Sequence, residues 1–392
     1  MRVCVGIDVA KLVHWATAID EGGRVVLDRA VENHPASIDG FVADLRALEG
    51  ELVIGTDVVG SFARFLEAVL LAEGFALVHA PGIAVNRAGQ GFAGGERKSD
   101  PRDARTIAEL VRTRDLRPVL PDDDTRVTLR LKAGRRTELI VDQTRRLNRL
   151  RGLLGGIHPG LEQALDLTNL GPLALLTRYV TPSEIRRAGR TRLASHLAKT
   201  PRVARPDRIV ATALDAAKAQ RITLPGEAAT AELVRELAAE ALVAKRRIAQ
   251  IERDLETLLA DHPDAALIRS LPGMGVVLTA EFLAHVGDIR RFHSADALAA
   301  SAGLAPVMRQ SGRKVGWRRT YGGDKALKRV LFQSAFCAVQ LRDPASKAFY
   351  DRKRREGKHH TQALIALARR RTTVLWTMIQ RRRTYEPMQK AA

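Results

Sequence analysis

Val3-Cys4-Val5-Gly6-Ile7-Asp8-Val9 opens the chain as an apolar run with one acid near its end. The run is too short for a helix and rich in β-branched residues, so it reads as a strand buried on both faces. A carboxylate on such a strand is costly without a cation or donor to compensate it, which marks Asp8 for chemistry. Strand-like runs over 12–19 and 24–31 follow, joined by a turn at Glu21-Gly22-Gly23. Ile38, Phe41, Val42 and Leu45 have helical spacing across the segment from Ser37 to Leu48. Leu52-Val53-Ile54-Gly55-Thr56-Asp57 is another strand that ends in an acid. Phe62 to Leu71 reads as a helix and Phe75 to His79 as a last strand. The order β-β-β-α-β-α-β-α defines an α/β domain with helices over a mixed sheet.

Next comes Lys98-Ser99-Asp100-Pro101-Arg102-Asp103-Ala104, a helix start. Ser99 suits the cap, Pro101 the first turn, and Ile107, Leu110 and Val111 continue an apolar face. Asp100 and Asp103 stand three apart on one face of that helix. First-turn acids can serve the helix dipole alone. They can also join Asp8 and Asp57: if the strands bearing those two acids are neighbours, four acids converge at one sheet edge. Ligands that are all oxygen suit Mg²⁺ or Mn²⁺, and two such ions can activate water or clamp a phosphodiester.

The 392 residues suffice for two or three domains, and 45% hydrophobic with 28% charged residues describes a globular chain. Lys and Arg number 64 against 44 Asp and Glu, a formal charge of +20 that favours a polyanionic partner, above all nucleic acid. The two cysteines, Cys4 and Cys337, have no metal-ligand spacing and exclude a disulfide framework. No apolar run approaches membrane-spanning length and no signal-peptide pattern opens the chain, so a cytoplasmic protein without membrane contact is expected.

Pro118 to Asp124 reads as a linker. From Arg126 to Arg151 a basic helix carries Arg135, Arg136, Arg145, Arg146 and Arg149. Charge runs on helices are usually solvated faces, but with this net charge contact to a nucleic-acid backbone is favoured. A second long helix, from about Ala228 to Leu259, places Val234, Leu237, Ala241, Ala244, Ile248, Ile251, Leu255 and Leu258 in a coiled-coil seam. Its partner is either the basic helix of the same chain or another protomer. Residues 166–226 hold short helical pieces broken by prolines, with no chemistry assigned.

Ile268 to Ala280 contains Pro272-Gly273-Met274-Gly275 and resembles a helix-hairpin-helix element, in which Gly273 and Gly275 allow backbone N–H groups to face a phosphate. A plain turn between helices fits the same residues. Further on, Ala302-Gly303-Leu304-Ala305-Pro306 precedes Arg309-Gln310-Ser311-Gly312-Arg313-Lys314, then Arg318 and Arg319. Several glycines make this a flexible basic loop, with Trp317 and Tyr321 available to stack on bases. No His adjoins Ser311, so a protease-like triad is not suggested; a serine among cations can instead attack a phosphodiester. From Arg352 onward a basic tail holds one more amphipathic helix before a disordered end.

Gly6-Ile7-Asp8-Val9-Ala10-Lys11, Asp57-Val58-Val59-Gly60 and Lys98 to Ala104, followed by the Gly-Leu-x-Pro and Ser-Gly pattern at 303–312, resemble the DEDD transposases of the insertion-sequence one-ten family. That family is related to the Piv DNA invertase. The resemblance covers about 1–150 and 265–345; the family's second acid is commonly Glu, and Asp57 stands there. It implies an RNase H-like, RuvC-like N-terminal domain over 1–120 and a helical coiled-coil region over 121–262. A transposase domain over 263–345 and a basic helical tail over 346–392 complete the expected organisation. It also implies Asp8, Asp57, Asp100 and Asp103 as metal ligands for Mg²⁺ or Mn²⁺ and Ser311 as nucleophile. Donor and target DNA, a structured noncoding bridge RNA and a nucleoid-associated homo-oligomer, dimer or tetramer, would be its partners. The two domains would then meet between protomers.

Three rivals remain at this stage. A junction nuclease would use the acids alone, and a non-catalytic RNA-binding protein would need none of them. The weak likeness of Gly6-Ile7-Asp8 and Asp57 to Gly60 to actin-like sugar-kinase phosphate loops is outweighed by the +20 charge.

Overall fold

In the computed structural model, which describes residues 2–91, 99–121, 123–312, 314–318, 320 and 322–386, β1 (Arg2–Asp8) is a central strand. On one side β2 (Val13–Ile19) runs antiparallel to it with Trp15 opposite Asp8, and β3 (Val25–Glu32) lies outside β2. After α1 (Pro35–Ala47) the chain returns as β4 (Glu51–Thr56), parallel to β1 with Thr56 opposite Ile7. The strands that end at Asp8 and Asp57 are therefore neighbours. α2 (Arg64–Ala72) and β5 (Ala76–His79) follow, with β5 parallel to β4. Then come α3 (Gly82–Gln90), α4 (Asp100–Thr113) and β6 (Arg117–Pro118), giving a sheet of order β3-β2-β1-β4-β5-β6. β5 is thus not the last strand, and α3 was not foreseen. β6 has two residues, one a proline that only a sheet edge accepts.

Side-chain alternation sorts this sheet into two packed faces. Val5, Ile7, Ile54 and Leu77 meet Phe41 and Leu45 of α1 and Leu66 and Leu70 of α2. Cys4 and Val53 meet Ile107 and Val111 of α4 on the other face, which Gly6, Asp8 and Gly55 share. Contact with α4 is very close. A Cβ on Gly6 would lie 2.0 Å from the Ala104 carbonyl oxygen and 2.3 Å from the Ala108 nitrogen, and one on Gly55 would lie 2.4 Å from Val111.

Residues Met1–Asp123 form one compact unit and Asp124–Ala392 a second. The second unit contains α5 (Asp124–Ile157), α6 (Pro159–Ala164), α7 (Leu170–Leu176), α8 (Pro182–Ala198, kinked at Gly189) and α9 (Pro206–Ala219). It continues with α10 (Glu227–Ala260), α11 (Ala265–Ser270), α12 (Val276–Val286) and α13 (Ala295–Ser301). β7 (Val307–Ser311), β8 (Lys314–Arg318), α14 (Lys325–Gln340), α15 (Pro344–Arg355) and α16 (His360–Arg381) close it.

The partner of α10 is the basic helix of the same chain. Lys132–Asp254, Arg136–Glu252 and Arg146–Glu240 ion pairs step oppositely along α5 and α10, so the pair is antiparallel. Such partly exposed pairs contribute little each. The apolar seam carries the hairpin, with Val234, Ala241, Ala244, Ile248, Ile251 and Leu255 buried as expected and Ala238, Leu242 and Leu259 added. Leu237 and Leu258 are only partly covered. Between the long helices, α6 to α9 pack on their distal halves to form a core of their own. The last helix is not a tail: Leu367, Leu375 and Met378 of α16 sit in one core with α11 to α14.

Gly6→Ala should lower thermal stability by about 1–3 kcal/mol or more, since backbone and not a flexible side chain blocks the new methyl. Gly152→Ala on the open, exposed face of α5 should raise it by up to about 1 kcal/mol; calorimetry on both variants checks the contrast.

Candidate active site and nucleic-acid interface

Asp8 and Asp57 stand at the C-terminal edge of the parallel strands. Asp8 ends β1, and Asp57 follows β4 directly, its Oδ1 accepting a 3.2 Å hydrogen bond from the Val9 N–H. Burial pushes the Asp57 carboxyl above its ordinary pKa, against the pull of that N–H and others. The direction of α4 is fixed at both ends. Ala104 lies over Gly6, two residues before Asp8, while Arg112 reaches the Glu21 carbonyl at the opposite end of the sheet. Asp103, just before Ala104, and Asp100, one turn earlier, are therefore carried to the Asp8 edge. Ser99 is the helix cap by backbone geometry, with Asp103 N–H bonded to its carbonyl and no side-chain cap bond. Asp100 is exposed and Asp103 half-buried.

Among the described residues, no three His, Cys, Asp or Glu side chains form a group that could hold a metal ion as they stand. The donor chemistry nonetheless suits a hard cation: the candidate ligands are oxygens, and Asp57 is a half-buried acid whose ionised form gains from a positive neighbour.

Sequence reading missed His79. It ends β5 opposite Thr56, and both its Nδ1 and the Thr56 Oγ1 are buried without a hydrogen-bond partner. Burial lowers the His79 pKa while the Asp57 charge pulls it upward. The signal lay in a third parallel strand end beside Asp57, legible only once the strands are paired.

In the second unit, residues 307–311 and 314–318 are paired strands and not a flexible loop. β7 and β8 form an antiparallel ribbon turning at Gly312 (φ 55°), with Ser311 opposite Lys314. Paired residues share a face. One face carries Ser311, Lys314, Arg309 and Arg318, and Gly316 leaves space across from Arg309. The other carries Met308 opposite Trp317 and Gln310 opposite Val315, with Trp317 67% exposed. The described ribbon residues are all exposed. Arg313, Arg319, Tyr321 and Lys98 lie outside the described residues.

The ribbon's base is tied to the helical core. Asp324 N–H bonds the Ser301 carbonyl at 2.8 Å and Lys328 Nζ bonds the Gly303 carbonyl at 2.8 Å. Asp324 also caps α14 through the Ala326 and Leu327 N–H groups and contacts His285 Nδ1 at 2.9 Å.

The other expected contacts divide. Arg136 and Arg146 are matched by α10 acids, whereas among the described residues Arg135 and Arg145 pair with exposed Glu138 and Asp142 on their own helix, and Arg149 is exposed. Gly273 (φ 82°) is pressed on α14, where a Cβ would lie 2.5 Å from the Ser334 carbonyl oxygen. Gly275 is exposed at the start of α12 with open space before it. Behind this turn Arg371 of α16, 4% exposed, donates to the Pro272 carbonyl, to Ser334 Oγ at 2.8 Å and to Ser346 Oγ at 3.1 Å. Burial lowers its pKa to about 10.

An acid-bearing α/β unit followed by a helical unit with a basic serine ribbon is the layout of a DNA transposase. Residues 5–159 match a transposase family model, and residues 265–351 match the model described as transposase, IS116/IS110/IS902 family. The chain is 40% identical to the insertion element IS116 uncharacterized 44.8 kDa protein of Streptomyces clavuligerus, over 98% of this chain and 96% of that one. With the insertion element IS900 uncharacterized 42 kDa protein of Mycobacterium paratuberculosis it shares 39% identity, over 98% and 97%. The pilin gene-inverting protein of Moraxella bovis is 32% identical over 36% of this chain and 45% of its own. The chain belongs to the IS116/IS110/IS902 family of transposases.

Asp324 gives a pH test of the ribbon's base. Its burial would raise the carboxyl pKa, but His285 and the helix N–H groups outweigh burial and hold it below the usual range. Its stabilisation is therefore complete above the unfolded value of about 3.9 and is lost as pH falls through the lower folded value. Asp324→Ala should cost about 1 kcal/mol at pH 7, and the gap from the parent in thermal melts should close below about pH 4.

Proposed function

We propose that this transposase cuts and rejoins DNA through Ser311, with the acids Asp8, Asp57, Asp100 and Asp103 of an RNase H-like unit holding Mg²⁺ or Mn²⁺ beside the reacting phosphate. The observation that carries the serine role is the ribbon face on which Ser311 stands opposite Lys314 with Arg309 next along. The Ser311 oxygen attacks phosphorus, and the bond to one deoxyribose oxygen breaks as that oxygen leaves as a hydroxyl. Lys314 and Arg309 offset the charge that gathers on the phosphoryl oxygens, and Arg318 adds to the same field. Attack by the hydroxyl of another strand reverses the step, so one phosphodiester is exchanged for another with no external energy source. A bound divalent ion would polarise the phosphate and lower the pKa of the attacking or leaving oxygen. Asp8 and Asp57 at the sheet edge and Asp100 and Asp103 at the start of α4 would hold it.

Ser311 and the acids lie in separate compact units, and the ribbon is exposed along its described length. The exposed ribbon is free to reach another protomer, which supports an oligomer, a dimer or tetramer, in which one protomer's serine serves another's acids. Arg135, Arg145, Arg149 and the Gly275 end of α12 supply further backbone contacts, and the charge of +20 accommodates a structured bridge RNA that selects donor and target DNA.

Ser311→Ala should abolish the covalent protein–DNA adduct, trapped on nicked DNA and resolved in denaturing gels, by at least about 10³-fold with unchanged circular dichroism. Strand cleavage that survives this substitution overturns the serine mechanism and leaves a nuclease that uses the acids alone. Asp8→Asn and Asp103→Asn should each weaken Mn²⁺ binding in titration calorimetry, and sequencing of co-purified RNA tests the guide.

A further inference from the structure

The segment between α8 and α9 carries local choices that weaken the fold and have no internal compensation. Arg202 (φ 64°) and Arg205 (φ 50°) both adopt left-handed backbone, a conformation that disfavours side chains larger than glycine. Arg205 is also the cap residue of α9, a fourteen-residue helix, and makes no side-chain cap bond there. A cation at that position faces the positive end of the helix dipole, where Ser, Thr, Asp or Asn would be favourable. Arg208 follows in the first turn, with Asp207 the acid beside it. None of Arg202, Arg205 and Arg208 has an ion pair among the described residues, and all three are exposed.

These arginines line a concave site of about 610 Å³ whose floor includes Leu170, Pro172 and Ile209. Lys245 of α10 reaches its edge and donates to the Thr168 carbonyl at 2.7 Å. Asp166 is the acid on the lining, and its carboxylate is already engaged by Thr168 and Asn169. The site therefore concentrates positive charge, free guanidinium donors and a helix start on one cavity with an apolar base. Two strained arginines and a mischosen cap are the pattern expected where local stability is given up for binding.

We propose that this cavity, in the α6–α9 insertion, is a phosphodiester-binding site that grips the backbone of a nucleic acid. Guanidinium forks match phosphate oxygens in pairs, the Asp207 N–H at the start of α9 adds a donor, and Leu170 and Ile209 can back a sugar or base. The inference stands apart from Ser311 and the acid cluster, and would hold if that chemistry were assigned otherwise.

The full-length chain carrying Arg202→Gly, Arg205→Gly and Arg208→Gln together tests it, because glycine removes the charge and also relieves the left-handed strain. Melting temperature should hold or rise, while affinity for a labelled nucleic acid falls about tenfold or more. Binding is read by fluorescence anisotropy across a salt series on mixed-sequence single-stranded RNA and on duplex DNA. The slope of log K against log salt should shrink by about 2 for the true ligand. Loss on RNA assigns the site to RNA, and loss on duplex assigns it to DNA; unchanged affinity and slope on both overturn the proposal. Should the triple variant melt early, Arg208→Gln alone, on the exposed face of α9, is read the same way with a slope change of about 1.

Discussion

The contact on which the first unit depends is the seating of α4 directly on the backbone of β1. With Ala104 and Ala108 so near the α-carbon of Gly6, helix and strand have one way to fit together. Packing at that range cannot slide, because a shift along the strand drives the helix backbone into a side chain. The constraint reaches beyond stability. Gly6 precedes Asp8 by two residues and Ala104 follows Asp103, so the contact that closes the core also sets two acids at a common edge. Asp57 is brought to the same edge by parallel pairing of β4 with β1 and is tied to Val9 by its own carboxylate.

The second unit is organised differently, by two helices of equal length laid antiparallel. Its apolar seam is rich in alanine, which permits close approach, and Gln143 donates to the Ala241 carbonyl at 3.2 Å inside it. A buried donor with one acceptor is satisfied in one register only, so this bond resists slippage that an alanine seam would tolerate. Beyond the hairpin, Arg371 does comparable work among α14, α15 and α16. A buried guanidinium left without its oxygens would be strongly unfavourable, so the elements that supply them are held together.

Much of the first unit was legible because its strands are apolar runs bounded by turns and its helices have plain periodicity. That the strands of Asp8 and Asp57 are neighbours was a condition this order left open, and the parallel pairing of β1 with β4 meets it. β6 was not legible, since two residues carry no period, and His79 became notable only when pairing set it beside Thr56 and Asp57. In the second unit the seam of α10 could be read, but the destination of Arg136 and Arg146 could not: a basic helix looks alike whether its charges meet acids or phosphates. α16 looked like a tail because Arg369, Arg370 and Arg371 interrupt its apolar face, and sequence does not reveal that Arg371 turns inward. The glycines around Ser311 suggested a loose loop. Gly312 makes the tight turn, and Gly316 keeps its place in a paired strand.

The ribbon at Ser311 divides its labour by parity. On β7 the odd-numbered positions hold Val307, Arg309 and Ser311, on one face with Lys314 and Arg318, and the even-numbered Met308 and Gln310 share the other face with Trp317 and Val315. Either set can vary without disturbing the other, so the face bearing Met308 and Trp317 can be retuned while the face bearing Ser311 is preserved. A one-residue insertion or deletion within β7 has the opposite character: it exchanges the two faces at once and carries Ser311 to the wrong side. Drift along this arm is thus open to substitution and closed to changes of length.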